Sequence, residues 1–341
     1  MKPEDRLLFA VSRQDFTEKH QQIVLDLCQR FPIPWDTLFA KAEQHGVAPL
    51  VYINLCQRSS LGLDIPAKVV DQYRMFTFRN TIWKEQRSKK LTDTLAYFHE
   101  RMIDVLLIKG GVLDLLVYDH PAYVTSNDID LVIHRRREEY TPEELTHLMS
   151  HLHQSGIEYD FFEHHDTTIN GVLPVDFKRI WDDAVRINYR DQPVLIMCPE
   201  DMLISLCINS CRKRFFRLKS LLDIAETLNR IEDLQWDKLV EKARSYDCLN
   251  IVYAALLVTQ LTLGCNLPVN VLDDIAPNAL RATLIRTVIN FLLGWSSLPA
   301  APNTGQSFLG KQIHLSLLLP YVVYRGYQIR YKLAHEILQP N

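Results

Sequence analysis

The stretch VLLIKGGVLDLLVYDHPAYVTSNDIDLVI, residues 105–133, constrains the fold more than any other part of the chain. Val105–Ile108 is a short β-type run that ends in Lys109-Gly110-Gly111. Val112–Tyr118 then reads as a short apolar helix, and Asp128-Ile129-Asp130 opens a second β-type run through Ile133. A strand, a glycine turn, a helix and a further strand make an α+β unit, not a helical bundle. Side chains alternate along a strand, so Asp128 and Asp130 share a face. Two neighbouring carboxylates repel unless a cation lies between them. Mg2+ meets that need: it takes oxygen ligands and binds through one or two carboxylates together with phosphate oxygens. A third β-type run, Val172–Lys178, carries Asp176 among the apolar Val172, Val175 and Phe177. Asp176 is therefore the candidate third carboxylate of a site for two Mg2+ ions. Glycine at a strand-to-helix turn lets backbone N–H groups approach phosphate closely, and the helix start adds partial positive charge. The turn is neither a Walker loop nor a dinucleotide fingerprint, because both G-x-x-x-x-G-K-[ST] and G-x-G-x-x-G are absent.

The rest of the chain has helical periodicity on both sides of a compact α+β core, with divisions expected at 1–103, 104–198 and 199–341. In the first part, Phe16–Phe31 is stopped by Pro32 and Pro34, Asp36 is a candidate N-cap, Gly46 ends a helix, and Val47–Cys56 forms another. A long helix from Pro66 to Met102 carries Val69, Val70, Tyr73, Phe76, Ile82, Leu91, Leu95 and Phe98 at helical spacing, and its basic run Arg87–Lys90 reads as a solvated face. In the core, Thr141, Pro142 and Glu144 predict a capping box, and Gly156 ends that helix. Ile157–Glu163 and Val172–Lys178 are expected to pair as strands through Asn170-Gly171, and Ile187–Tyr189 with Val194–Met197 to form a smaller hairpin. Pro199 starts the last part, where helices are expected over 202–211, 215–228, 236–246, 249–263 and 278–293, followed by a Pro/Gly-rich loop at 299–310 and a basic amphipathic tail at 311–338.

Composition excludes several classes. The 341 residues carry a formal net charge of -3, so no global basic field draws the chain to nucleic acid, and there is no strong evidence for a DNA partner. No apolar run is long enough for a membrane helix, and the N-terminus lacks the apolar core of a signal peptide. Seven cysteines without a C-x-x-C pair read as reduced thiols, Cys207 and Cys211 included, so a cytoplasmic protein is expected. His147 and His151 are four apart on a helix, with His153, His164 and His165 further along; no acid or cysteine completes a metal set there.

LIKGGVLDLLVYDHPAYVTSNDIDLVI, residues 107–133, resembles the bacterial uncharacterised nucleotidyltransferase family, and through it the nucleotidyltransferase superfamily of the DNA polymerase beta type. Its hallmark is Leu-Lys-Gly, a short helix ending near Tyr, then Asp-hydrophobic-Asp-Leu. VDFKRIW (175–181) is similar to the family's post-strand acidic motif, and PEDMLISLCINSCRKRFFRLKSLLDIAETL (199–228) to its helical pair. The resemblance implies a magnesium-dependent transfer of a nucleoside monophosphate from an NTP such as ATP to a hydroxyl acceptor. Asp128, Asp130 and Asp176 would be the catalytic metal ligands. Lys109, Gly110 and Gly111 would form the phosphate turn, with Ser126 beside it. The acceptor is left open among a small molecule, a peptide, a protein side chain and an RNA end.

Two departures from the family stand out. The family often has an Arg shortly before Asp-x-Asp, whereas Tyr123–Asn127 holds no base, and Phe177-Lys178 stands where a His often follows the third acid. Lys109 or Lys178 would supply the missing charge. In the basic run Arg212–Lys219, Arg217 and Lys219 are the candidate triphosphate contacts, with Asp223 one helical turn on as partner to Lys219. The same run, with Phe215 and Phe216 interleaved, leaves RNA binding open. A catalytically degenerate nucleotide-binding regulator or scaffold is the alternative to an enzyme.

Overall fold

The computed structural model describes residues 2–57, 61–125, 129–135, 137–161, 177–215 and 217–294. Ser126, Asp128, Asp176, His164, His165, Phe216, the Asn170-Gly171 turn and the segments 299–310 and 311–338 lie outside the described residues.

Five short strands form one mixed sheet: β1 (Val105–Ile108), β2 (Asp130–Ile133), β3 (Glu158–Phe161), β4 (Val185–Tyr189) and β5 (Gln192–Ile196), in the order β3-β2-β1-β5-β4. All four residues of central β1 are buried, which explains why it reads as a continuous apolar run and does not alternate. β1 runs antiparallel to β2, with Ile108 opposite Asp130, and parallel to β5. The β4–β5 hairpin turns through Arg190 and Asp191, both at positive φ (43° and 69°). An Arg in that conformation is uncommon, and Glu85 holds it with two hydrogen bonds of 3.0 and 2.9 Å.

Helices cover this sheet and extend beyond it. The chain opens with α1 (Pro3–Val11), α2 (Glu18–Arg30), α3 (Trp35–Gln44) and α4 (Ala48–Tyr52), then α5 (Ala67–Glu100), whose 34 residues pack against β5 and α4. α6 (Gly110–Leu116) follows β1, and α7 (Pro142–Ser155) precedes β3. The Thr141/Glu144 capping box forms, and Gly156 ends α7 in the left-handed region, as Thr-Pro-x-Glu and the following glycine predict. α8 (Phe177–Asp182) leads into β4, and α9 (Pro199–Arg212), α10 (Leu218–Arg230), α11 (Trp236–Ser245), α12 (Leu249–Leu263), α13 (Val271–Asp274) and α14 (Ala279–Gly294) complete the described chain. α12 is apolar nearly all round and packs against α9, α10, α11 and also α1. Gln14, just after α1, also ties the N-terminal helices to α10. Its backbone N–H and side-chain amide donate to Glu226 (3.1 and 3.0 Å), and its side-chain Oε1 accepts from Asp119 N–H at 2.7 Å.

Several expectations need correction. Phe177 and Lys178 open helix α8 and do not end a strand: Phe177 and Ile180 bury one face, and Lys178 pairs with Asp182 one turn on, so the period is helical. Asp36 lies in the first turn of α3, whose N-cap is Pro34. The helix after Gly46 widens into a π turn at Ile53–Gln57. α10 begins at Leu218, because Arg214 and Phe215 take positive φ (58° and 59°) and break the helical path. Ile82 is 43% exposed, so it is not part of the buried stripe of α5.

Candidate functional site

The β1–β2 register brings the two halves of the motif together. Lys109 leaves β1 with φ 55° and ψ -119°, a strained conformation for a residue with a side chain, and caps α6. Its Nζ lies 3.4 Å from Asp130 Oδ2 at the start of β2, with both side chains partly exposed. Gly110 and Gly111 are the first residues of α6 and are buried. A Cβ on Gly111 would sit 3.1 Å from Leu107 Cδ1, so this glycine lets the helix close onto the strand before it. The turn is therefore a Lys cap followed by two helical glycines, and neither glycine is needed for positive φ.

A second loop holds the approach to β2. Gly46 has φ 76°, and its carbonyl accepts from Thr125 N–H at 3.0 Å. A Cβ there would come within 2.8 Å of Thr125 Oγ1. His45 next to it accepts from Lys219 N–H through its carbonyl (3.1 Å) and from Leu218 N–H through Nδ1 (3.2 Å). One two-residue loop thus fixes both the segment entering the Asp-x-Asp region and the start of α10. Gly46 was legible as a helix stop; its second role, a close backbone approach, has no sequence signal.

Lys219 pairs with Asp223 at 2.6 Å, and Asp223 also accepts from the Tyr118 hydroxyl at 2.6 Å. Arg217 caps α10 through its backbone and is half-buried. Lys178 is exposed on α8 and paired with Asp182 at 2.5 Å. In the basic run, Phe215 is fully buried in the core, and burial lowers the pKa of Arg214. His151 stacks on Tyr97 at 4.1 Å, and Cys207 and Cys211 are buried with thiols pushed up by desolvation.

Lys84 and Asp114 escaped the sequence reading, and Arg87, expected on a solvated face, is half-buried with its Nε out of solvent. Lys84 is 6% exposed on α5 and donates to both oxygens of Asp114 on α6, at 2.7 and 2.5 Å. Burial lowers the Lys84 pKa despite Asp114, and burial raises that of Asp114 despite Lys84. Lys219 and Asp223 act on the same two charges through space. The stripe of α5 carried a signal for this: between Phe76 and Leu91 its inward positions are Asn80, Lys84 and Ser88. Asn80 donates to Ala122 O at 2.9 Å, and Ser88 shares a 2.6 Å hydrogen bond with the Tyr189 hydroxyl. Beside these residues lies a cavity of about 210 Å3, walled in part by Gly111 and Ile129.

Asp183, Cys198 and Asp201 also gather closely enough to ring a metal ion. An ammonium already fills that place: Lys242 Nζ lies 2.6 Å from Asp183, 2.5 Å from Asp201 and 3.6 Å from Cys198 Sγ. Burial and the Asp201 carboxylate push the Cys198 thiol up to about 12, so at neutral pH it is a donor to Asp201 (3.2 Å) and not a thiolate ligand. We read this cluster as a structural ion network. Asp130 is different: a partly exposed carboxylate whose cation contact among the described residues is Lys109 at 3.4 Å offers the hard oxygen donors that Mg2+ takes.

A strand, a Lys-Gly-Gly turn, a short helix and a further strand within an α+β fold follow in the order the opening motif predicted, with β2 beginning at Asp130. The model of the uncharacterised nucleotidyltransferase family matches residues 32–264, and the chain belongs to that family. No curated protein matches. Among solved structures, an antigenic nucleotidyltransferase-like protein from Paracoccidioides brasiliensis aligns at 16% identity over 42% of this chain and 76% of that one, with a TM-score of 0.34. No helix among the described residues is long and apolar enough to cross a membrane.

Proposed function

We propose that the protein transfers a nucleoside monophosphate from an NTP to a hydroxyl acceptor and releases pyrophosphate, with Mg2+ bound at Asp130, Asp128 and Asp176. The observation that carries this reading is the contact of Lys109 with Asp130 across the β1–β2 pair, within a chain of the nucleotidyltransferase family. Bound Mg2+ would neutralise phosphate charge and activate the attacking hydroxyl. The chain's own work is positioning. Asp130 holds its carboxylate at the head of a buried strand. Lys109 reaches from the turn to that carboxylate and is placed to share its charge with a phosphate oxygen. The Gly110-Gly111 backbone permits close approach of the β- and γ-phosphates. Gly46, by holding Thr125, limits the freedom of the chain that enters the acid pair. Catalysis of this kind rests on orientation and charge complementarity, since no covalent intermediate on the protein is needed.

The test is incubation with Mg2+ or Mn2+ and each α-labelled NTP, reading pyrophosphate and labelled product. Metal-dependent pyrophosphate release supports transfer. Nucleotide binding without any release favours the regulatory or scaffold alternative. Salt-sensitive RNA binding that weakens when Arg214 and Arg217 are neutralised would point to an RNA acceptor.

A further inference from the structure

A transfer enzyme needs a place for its second substrate within reach of the phosphate turn. The 210 Å3 cavity between α5, α6 and the β4–β5 turn borders the phosphate turn at Gly111 and the entry to β2 at Ile129, the residue before Asp130. Its polar lining is almost wholly paired. Lys84 is matched by Asp114, Ser88 by Tyr189, and Arg190 by Glu85. Arg87 is the exception. Its guanidinium lies 4.9 Å over the Trp83 ring, and one Nη donates to Gly156 O at 3.2 Å. Its Nε is buried with no hydrogen-bond partner, and no carboxylate is found in ion-pair contact with it among the described residues. A buried donor left unmatched is costly, so among the described residues Arg87 is the lining cation with a donor still to satisfy. Asp114 contributes acceptor oxygens on the same wall. The volume is below the roughly 300–1,000 Å3 of pockets for drug-sized ligands, so it suits a small compound and cannot enclose a polynucleotide end.

We infer that this cavity is the acceptor subsite and takes a small hydroxyl compound bearing one anionic group, a phosphate monoester or a carboxylate, with the anion on Arg87. The assignment rests on the transfer reaction proposed above. In that step the acceptor oxygen forms a bond to the α-phosphorus as the α–β phosphoanhydride breaks. Pyrophosphate leaves with the electron pair, and the hydroxyl proton passes to a carboxylate of the transfer site and on to water.

The experiment uses the full chain and three probes: glycerol 3-phosphate, glycerate and neutral glycerol. Calorimetry without nucleotide reads binding, and label from α-labelled NTP reads transfer. Two variants are compared, Arg87→Met, which removes the cation, and Leu115→Trp, which fills the cavity from its rim. Circular dichroism establishes that both are folded, and binding of a non-hydrolysable NTP is expected to change less than twofold in each. The anionic probes should bind the wild type at least tenfold more tightly than glycerol, lose at least tenfold in Arg87→Met, and lose all measurable binding in Leu115→Trp. Three outcomes would overturn the assignment: no binding of either anionic probe, equal binding of glycerol, or transfer to a peptide or RNA end that survives in Leu115→Trp. The binding arm needs no turnover. Intact probe binding with no pyrophosphate release from any NTP refutes the transfer reaction and leaves the ligand class of the cavity standing.

Discussion

Two buried lysines, Lys242 and Lys84, meet carboxylates at almost the same distance and reach opposite electrostatic outcomes. Around Lys242, burial disfavours the charge, but hydrogen bonds and attraction from Asp183 and Asp201 outweigh it and the pKa is raised. Its hydrogen bond holds Asp183 below the ordinary 3.8. Around Lys84, burial wins on both partners, lowering Lys84 and raising Asp114. The first network holds α11 to α9 and to the link between α8 and β4, and its charges are comfortable. The second sits between α5 and α6 beside the phosphate turn and a cavity, and its charges are costly. In this chain the unoffset charges of Lys84 and Asp114, beside a turn and a cavity, make them stronger functional candidates than the Asp183, Cys198 and Asp201 cluster that Lys242 fills.

Activity gives the comparison its widest margin, because Lys242 should matter to folding and the turn beside Lys84 to turnover. Lys242→Met should destabilise the protein by about 3–5 kcal/mol, since it strands Asp201 in the core; urea unfolding reads the loss. Lys84→Met alone should cost about 3 kcal/mol for the same reason, but Lys84→Met with Asp114→Leu should return to within about 1 kcal/mol of wild type. A double variant as unstable as the single one would erase the contrast. Gly46→Ala, forced to positive φ and against Thr125, should cost about 1–2 kcal/mol in thermal unfolding and lower turnover more than Gly264→Ala, whose added Cβ meets nothing.

The pH dependence separates the networks by sign. The raised pKa of Lys242 contributes stability that is complete below its ordinary 10.5 and is lost as pH rises through the higher folded value. The lowered pKa of Asp183 contributes stability that is complete above 3.8 and is lost as pH falls through the lower folded value. Lys84 and Asp114 run the other way: stability rises as pH climbs from the lowered Lys84 value toward 10.5, and as pH falls from the raised Asp114 value toward 3.8. The Lys84/Asp114 double variant should therefore show a steeper loss of stability at both pH extremes than wild type, a small effect measurable by unfolding between about pH 3 and 11.

The sheet was largely legible because its strands carry simple signals. β1 is a bare apolar run, the Arg190-Asp191 hairpin is bracketed by β-type residues, and α7 is written in caps. Short-range pattern failed where side-chain pairing reset the period, as at Phe177 and Lys178, and where backbone reversed at Arg214-Phe215. In the candidate site, the Lys109 turn and Asp130 could be singled out because the motif is local, while the β1–β2 pairing that sets Lys109 against Asp130 carried no sequence signal. Lys84 and Asp114 were not, and Arg87 read as a solvated base, because their meaning comes from contacts between α5, α6 and the hairpin turn that no spacing records. Lys219 shows the intermediate case: its partner Asp223 followed from helical spacing, while the hydrogen bond of Tyr118 to that partner did not.

The most direct test of the central claim is pyrophosphate release from each NTP with Mg2+, comparing wild type with Asp130→Asn. Asp130 is partly exposed and its contact with Lys109 is long, so the substitution should leave thermal stability nearly unchanged. The account predicts metal-dependent release by the wild type and at least a hundredfold loss in the variant. Equal release by both proteins, with the variant fully folded, would contradict it.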